Sequence, residues 1–237
     1  MNAKVSTLSA LAATFAAAVC GARAEAQEPI RPGADGGWYL GGEAGWTDLG
    51  SEEAYLPTTK DAQAWSSGFA VGVRLGYQFG GLRIEEEFRH ASNNLERIGL
   101  HPARGARDAE IFMTNALYDF DLGWPVSPHV GAGIGAVGLH DGGQVPVLGI
   151  TSFDNSTSWV FGYQAIAGIS YRLAAGLTAE LDYRYLSTMT PHFTTSPGLV
   201  IDGVAQGSRS ISSGYSTQTI LISATWHFDD RAPAAGR

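Results

Sequence analysis

Ser67-Gly68-Phe69-Ala70-Val71-Gly72-Val73-Arg74-Leu75-Gly76-Tyr77-Gln78-Phe79 alternates without a break. Phe69, Val71, Val73, Leu75, Tyr77 and Phe79 fall on one face. Gly68, Ala70, Gly72, Arg74, Gly76 and Gln78 fall on the other. Successive side chains of a strand point to opposite faces, so this is a strand with one apolar face and one small-or-polar face. It outruns the five or six residues usual in a soluble sheet. Aromatic residues close both ends of the apolar face, where a strand that crosses an outer membrane carries its girdles.

The same pattern recurs along the chain. Trp38, Leu40, Ala44 and Trp46 alternate with Tyr39, Gly41, Glu43 and Gly45. Further strands run through Phe161 to Arg172, Leu177 to Tyr185 and Thr219 to Phe228. Leu82 to Ala91, Asp108 to Phe120 and His129 to Leu139 are less regular and complete a set of eight. Three connections are short: Gly80-Gly81, Asp121 to Pro128 and Ala174 to Gly176. Four are long and polar: Thr47 to Ser66, Ser92 to Arg107, His140 to Ser158 and Ser187 to Ser213. Short turns at one end and long loops at the other predict an all-β fold, an eight-stranded antiparallel up-and-down transmembrane β-barrel. The even strand number returns both chain ends to the periplasmic side.

Composition agrees with this reading. Of 237 residues, 31 are glycine, well above the usual share of about 7%. Charged residues make up only 16% against 44% hydrophobic, which excludes a disordered chain. The formal charge of -8 argues against a nucleic-acid partner, which calls for a basic face. After the N-terminus no apolar run approaches the ~20 residues of a membrane helix.

Lys4, the apolar run Leu8 to Ala18 and the small residues of Ala22-Arg23-Ala24 and Ala24-Glu25-Ala26 read as a secretory signal. The expected organisation is a signal peptide at 1–26, cut after Ala24 or Ala26, and a periplasmic segment at 27–36. The barrel follows at 37–228, with a short tail at 229–237. Cleavage removes Cys20, the only cysteine, so disulfides and thiol chemistry are not expected in the exported chain.

The inward face collects Glu43, Arg74, Arg83, Glu85, Glu87, Arg89, Asp119, Arg172, Glu180, Asp182 and Arg184. An eight-stranded barrel is only wide enough for side chains to fill it, so these groups are expected to form an ion-pair network that plugs the lumen. Gly131, Gly133 and Gly135 would make room for neighbouring arginines and tyrosines. Glu86 falls between Ile84 and Phe88 on the lipid-facing side, where a charge is costly near mid-membrane unless a bulge or protonation relieves it.

Several segments carry a family resemblance. They are Gly37 to Gly45, Leu82 to Arg89, Asn115 to Phe120, Pro128 to Gly135, Tyr163 to Gly168 and Asp182 to Tyr185. In order and spacing the chain resembles the OmpA-like porin family of eight-stranded outer-membrane barrels, the group with the opacity-type and Brucella-type surface proteins. The resemblance implies a place in the outer membrane of a Gram-negative-type bacterium, among outer-membrane lipid and lipopolysaccharide. It also implies a C-terminal aromatic signal read by the barrel-assembly machinery, here Trp226 and Phe228. Nine residues follow, too few for a peptidoglycan-binding domain.

Three motifs remain. Gly133-Ile134-Gly135-Ala136-Val137-Gly138 spells a dinucleotide fingerprint, but it lies inside a strand with no phosphate-binding helix after it. His101, His129, His140, His192 and His227 lack ligand spacing, so no metal or other cofactor is expected. His90-Ala91-Ser92-Asn93 puts a base and a nucleophile on one strand face, with Glu96 as a candidate orienter. The tetrad resembles the His-x-Ser-Asn motif of outer-membrane lipid A deacylases. The expected function is nonetheless non-enzymatic: a structural surface barrel that supports envelope integrity and displays four extracellular loops, which a host or phage partner could bind. A narrow porin is the alternative, and a deacylase-like enzyme using His90 and Ser92 is the second.

Overall fold

The computed structural model describes residues 36–49, 52–55, 60–98, 101–144, 157–190, 192–194, 200–201, 204–205, 210–212 and 214–228. The expected signal peptide, the tail at 229–237, most of the expected loop at 140–158 and about half of that at 187–213 lie outside them, as does 27–36 except for Gly36.

Eight long strands form the wall: β1 Gly37–Leu49, β2 Gly68–Phe79, β3 Leu82–Ile98, β4 His101–Asp119, β5 Val126–Gln144, β6 Thr157–Ala174, β7 Leu177–Thr188 and β8 Ser216–His227. Each pairs antiparallel with the next, and β8 pairs with β1, so the sheet closes and the wall has no open edge. Closure is staggered. Partners followed from Trp38 through Tyr77, Ile84, Ala116, Ala132, Ala165, Tyr185 and Gln218 arrive at Asp48, ten residues (48 − 38) further along β1. Such a stagger accompanies the strand tilt of roughly 35–45° that lets a barrel close. The turn at Gly80-Gly81 needs a left-handed residue, and Gly80 supplies it with φ of 59°.

The alternation read from the sequence sorts the side chains as expected. Val73 and Leu75 are 54% and 46% exposed, while Arg74 between them is fully buried. Trp38, Phe79, Tyr118, Phe120 and Trp226 form a lower exposed ring, and Trp46, Phe69, Phe112, Phe161 and Tyr163 an upper one. Between them the outer face is almost wholly apolar. A continuous apolar surface of this extent suits hydrocarbon rather than water.

Two expectations need correction. Ser92 to Arg107 is not a loop: β3 and β4 remain paired as far as Ile98↔His101. Above the upper ring the outward positions turn polar, at Asn94 and Glu96, so apolar alternation fades while the backbone ladder continues. Thr47 to Ser66 is not wholly loop either. Glu52–Tyr55 and Lys60–Trp65 pair with each other, and Lys60–Trp65 joins the upper part of β3. Ser210–Ser212 and His192–Thr194 extend this sheet above the rim.

Candidate functional site

The lumen is filled in two storeys of opposite chemistry. In the lower storey, alternate positions of β1, β2, β3, β4 and β7 send Glu43, Arg74, Arg83, Glu85, Glu87, Arg89, Asp119, Glu180, Asp182 and Arg184 inward, and all ten are buried. Arg172 sits apart, half-buried near the lower end of β6.

Arg74 is the hub. Its Nη2 lies 2.7 Å from Glu180 Oε1 and donates to Ser223 Oγ and Thr225 Oγ1 at 2.8 Å each, while Nη1 reaches Asp182 Oδ2 at 3.3 Å. Arg184 spans the next level, with Nη2 2.9 Å from Asp182 Oδ2 and 3.2 Å from Glu43 Oε2, and Nη1 against Glu87. Arg83 pairs with Asp119 at 2.9 Å and Glu180 at 3.2 Å, and Arg89 with Glu87 at 2.8 Å. With Glu85, 3.8 Å from Arg184 Nη2, six carboxylates share four guanidinium groups. In a medium without water each charge needs such partners, because an unpaired one costs several kcal/mol on the order given by ion desolvation.

Four further polar residues complete the network. Tyr39 donates to Glu85 at 3.0 Å. Asn115 donates to Glu85 and Glu87, and Gln164 to Glu87 and Asn115. His129 places Nε2 2.9 Å from Asp182 Oδ1 and Nδ1 3.2 Å from Ser170 Oγ. None of these four was singled out from the sequence as part of the plug. Their inward phase was the available signal, but a single polar residue does not stand out in an alternating strand.

The space for the large groups comes from glycines other than those expected. A Cβ at Gly41 would lie 2.8 Å from Arg74 Nε, and the Tyr39 ring covers Gly76. Gly131, Gly133 and Gly135 instead face Leu117, Asn115 and Met113, because β5 runs beside β4, whose inward residues at those levels are neither arginine nor tyrosine.

The upper storey is largely apolar, which the sequence reading did not anticipate, although Thr47, Asn93, Arg107, Thr217 and Thr219 are buried at the same level. Leu49, Trp65, Leu95, Ile111, Met113, Val137, Leu139, Leu186, Tyr215 and Leu221 form one buried cluster inside the wall. Arg107 lies over the Trp65 ring, 4.7 Å from its centroid. The reason for the miss is physical: inward Ile111, Met113 and Leu221 alternate with outward Phe112 and Ile222, so residue type does not distinguish inside from outside at those positions.

His129, Glu180 and Asp182 bring their donor atoms within 4.8 Å of one another, although their sequence spacing gives no hint of it. Both imidazole nitrogens already face oxygen partners, and Glu180 is held by Arg74 and Arg83. The arrangement fits an ion-pair network better than a metal centre.

On the outer wall, His90 is partly exposed near the upper ring, against Phe69. Its Nδ1 lies 2.8 Å from Glu110 Oε1 on β4. Glu96 lies out of reach of His90. It sits six positions along β3 from His90, roughly 20 Å at strand rise, whereas Glu110 is the direct cross-strand partner. Ser92 shares the outward face with His90, and among the described residues no hydrogen bond joins them. Asn93 points inward and donates to the carbonyls of Thr47 and Ser66.

Glu86 remains on the outer face with no bulge, in unbroken register with Leu75 and Thr114. Thr114 Oγ1 donates to its carboxylate, 2.9 Å from Oε1 and 3.0 Å from Oε2. Trp226 and Phe228 are about half exposed in the lower ring, and the Phe228 N–H donates to the Trp38 carbonyl at 3.0 Å.

In shape the chain is similar to the outer membrane protein OprG from Pseudomonas aeruginosa. The TM-score is 0.53 at 12% identity, over 81% of this chain and 96% of that one. It is equally similar to the outer membrane protein AlkL determined in DMPC lipid bilayers, with a TM-score of 0.53 at 16% identity over 90% and 100% of the two chains. In sequence it is 29% identical over 202 residues to uncharacterized proteins of Brucella abortus (strain 2308) and Brucella melitensis biotype 1, covering 67% of this chain and 70% of theirs. The family model for the outer membrane protein beta-barrel domain matches residues 9–228. The chain belongs to that family of outer-membrane β-barrel proteins.

Proposed function

We propose that the protein is a structural surface barrel of the outer membrane, anchored by its apolar belt and closed to solutes. Two-storey filling of the lumen is the observation that carries this reading. A solute would have to break the Arg74 and Arg184 ion pairs and then displace the cluster around Ile111, Met113 and Leu221. Neither storey alone accounts for a selective pore, which disfavours the narrow porin. The rigid wall then serves envelope integrity and carries the sheet above the rim outward, where a host or phage partner would meet it. Export through a cleaved signal at 1–26, insertion by the barrel-assembly machinery through Trp226 and Phe228, and lipopolysaccharide as the surrounding lipid belong to the same proposal.

The test is single-channel recording on refolded protein in a planar bilayer, with a boiled-versus-unboiled gel shift to establish that the barrel has formed. Silence from a folded sample is expected. Stable discrete conductance steps would replace this reading with the porin.

A second reading has one observation in its favour: the His90–Glu110 contact at 2.8 Å gives a base its orienting carboxylate, two residues from Ser92 on the lipid-facing side. That pair suits hydrolysis of a lipid ester at the level of the upper aromatic ring. Mass spectrometry of lipid A from cells expressing the protein or its His90→Ala variant tests it. Loss of acyl chains with the native protein, absent with the variant, would establish the enzyme.

A further inference from the structure

At the extracellular end of the upper storey, Trp65 Nε1 and Asn93 Oδ1 are buried without a hydrogen-bond partner among the described residues. Trp65 is 9% exposed and Asn93 only 1%. An unmet buried polar atom is costly, and native folds retain few of them. One of this pair is a donor and the other an acceptor.

Their placement is fixed. Asn93 Nδ2 donates to the carbonyls of Thr47 and Ser66, at 3.1 and 3.2 Å, which assigns the amide and turns Oδ1 away from both. The Trp65 ring lies against Arg107, and Arg107 is the cross-strand partner of Asn93. Donor and acceptor therefore flank one guanidinium at the same level of the lumen.

The walls around them are apolar. Leu49 and Leu95 keep 4% and 7% exposure, whereas Ile111, Leu139, Leu186 and Leu221 of the same cluster have none. Solvent thus meets the cluster at its extracellular end, and the ion pairs of the lower storey close it below. Apolar walls with a few placed polar groups are the usual make-up of a small-molecule site.

We propose that the extracellular end of the lumen binds a small neutral amphiphile, an apolar chain or ring that carries one hydroxyl. A hydroxyl has one donor and two acceptor positions, so a single group accepts from Trp65 Nε1–H and donates to Asn93 Oδ1. The apolar body then lies on Leu49 and Leu95 in place of water. A bare hydrocarbon would leave both polar atoms unmet, and a carboxylate would set its charge against the Asn93 oxygen. Such binding goes beyond a structural role, and it needs no passage through the barrel.

The experiment is NMR on refolded protein in lipid nanodiscs, titrated separately with 1-hexanol, hexane and hexanoate. The Trp65 Nε1–H signal, assigned by its loss in Trp65→Phe, is expected to shift saturably with 1-hexanol. Methyl signals of Leu49 and Leu95 give a second readout that survives in the variant. On these, 1-hexanol is expected to bind several-fold more tightly than hexane or hexanoate, and Trp65→Phe to remove the preference over hexane. The gel shift on boiling shows that the variant folds. A Trp65 signal unmoved by 1-hexanol would overturn the proposal and leave water as the partner of both atoms. Equal binding of hexane, or an unchanged preference in folded Trp65→Phe, would overturn it as well. So would tighter binding of hexanoate, which would give recognition to Arg107.

Discussion

Arg74 Nη2 and Glu180 Oε1 lie 2.7 Å apart although their strands, β2 and β7, are not neighbours in the wall. The bridge therefore crosses the lumen, and both side chains are at most 1% exposed. Contacts of this kind hold opposite walls at a fixed separation, which neighbouring-strand hydrogen bonds cannot do. They also carry a penalty when broken, because the survivor is a buried charge without water.

Arg74→Leu is expected to destabilise the folded barrel by about 3–5 kcal/mol, the range for leaving one half of a buried pair. Arg74→Leu with Glu180→Leu should cost less than the sum of the two single changes, with a coupling of about 0.5–3 kcal/mol. Urea titration of the barrel in lipid, followed by the gel shift, measures both quantities. Strict additivity would mean that the bridge contributes no coupling of its own.

If the lumen is closed as proposed, the two storeys make separate seals. Arg74→Ala loosens the lower one and leaves Ile111, Met113 and Leu221 packed above it. It should therefore remain silent in a planar bilayer. Combining it with Met113→Ala and Leu221→Ala should produce discrete conductance steps. Steps from Arg74→Ala alone would show that the apolar storey does not seal.

The wall was legible wherever the two faces differ in chemistry. Val71, Val73 and Leu75 against Gly72 and Arg74 fix both the strand and its inward side, and ten of the eleven charged groups expected inside are buried there. Where both faces are apolar the pattern falls silent: Ile111 and Met113 inward alternate with Phe112 outward, and nothing in residue type tells them apart. The hairpin above the rim was hidden for the opposite reason, since both of its faces are largely polar and its ladder depends on backbone groups. Glu110 was missed as the partner of His90 because cross-strand register sets that pair, whereas Glu96 was suggested only by nearness along the chain.

That contrast gives a comparison within one hairpin. If His90 acts on a lipid ester, Glu110→Gln should lower acyl release at least several-fold and shift its pH profile, while Glu96→Gln leaves both unchanged. Neither change should alter stability by more than about 1 kcal/mol, as expected of exposed pairs. Acyl release measured on lipopolysaccharide-containing vesicles at several pH values checks the order. Equal effects from the two glutamates would remove Glu110 from the role of orienter.

The chain terminus separates assembly from stability. Phe228 closes the seam between β8 and β1 through its backbone N–H to the Trp38 carbonyl, and its ring points out at the lower aromatic level, 54% exposed. Phe228→Ala keeps the hydrogen bond and removes a half-exposed ring that passes from lipid to water on unfolding, so the folded barrel should lose no more than about 1.5–3 kcal/mol to urea. If the assembly machinery reads that ring, the amount of heat-modifiable protein in the outer membrane should fall several-fold for the same substitution. Ending the chain after Phe228 should leave that amount unchanged, because the aromatic residue then stands at the chain end. A stability loss well beyond that range, with a matching fall in yield, would mean that the ring acts through the fold and not as a signal.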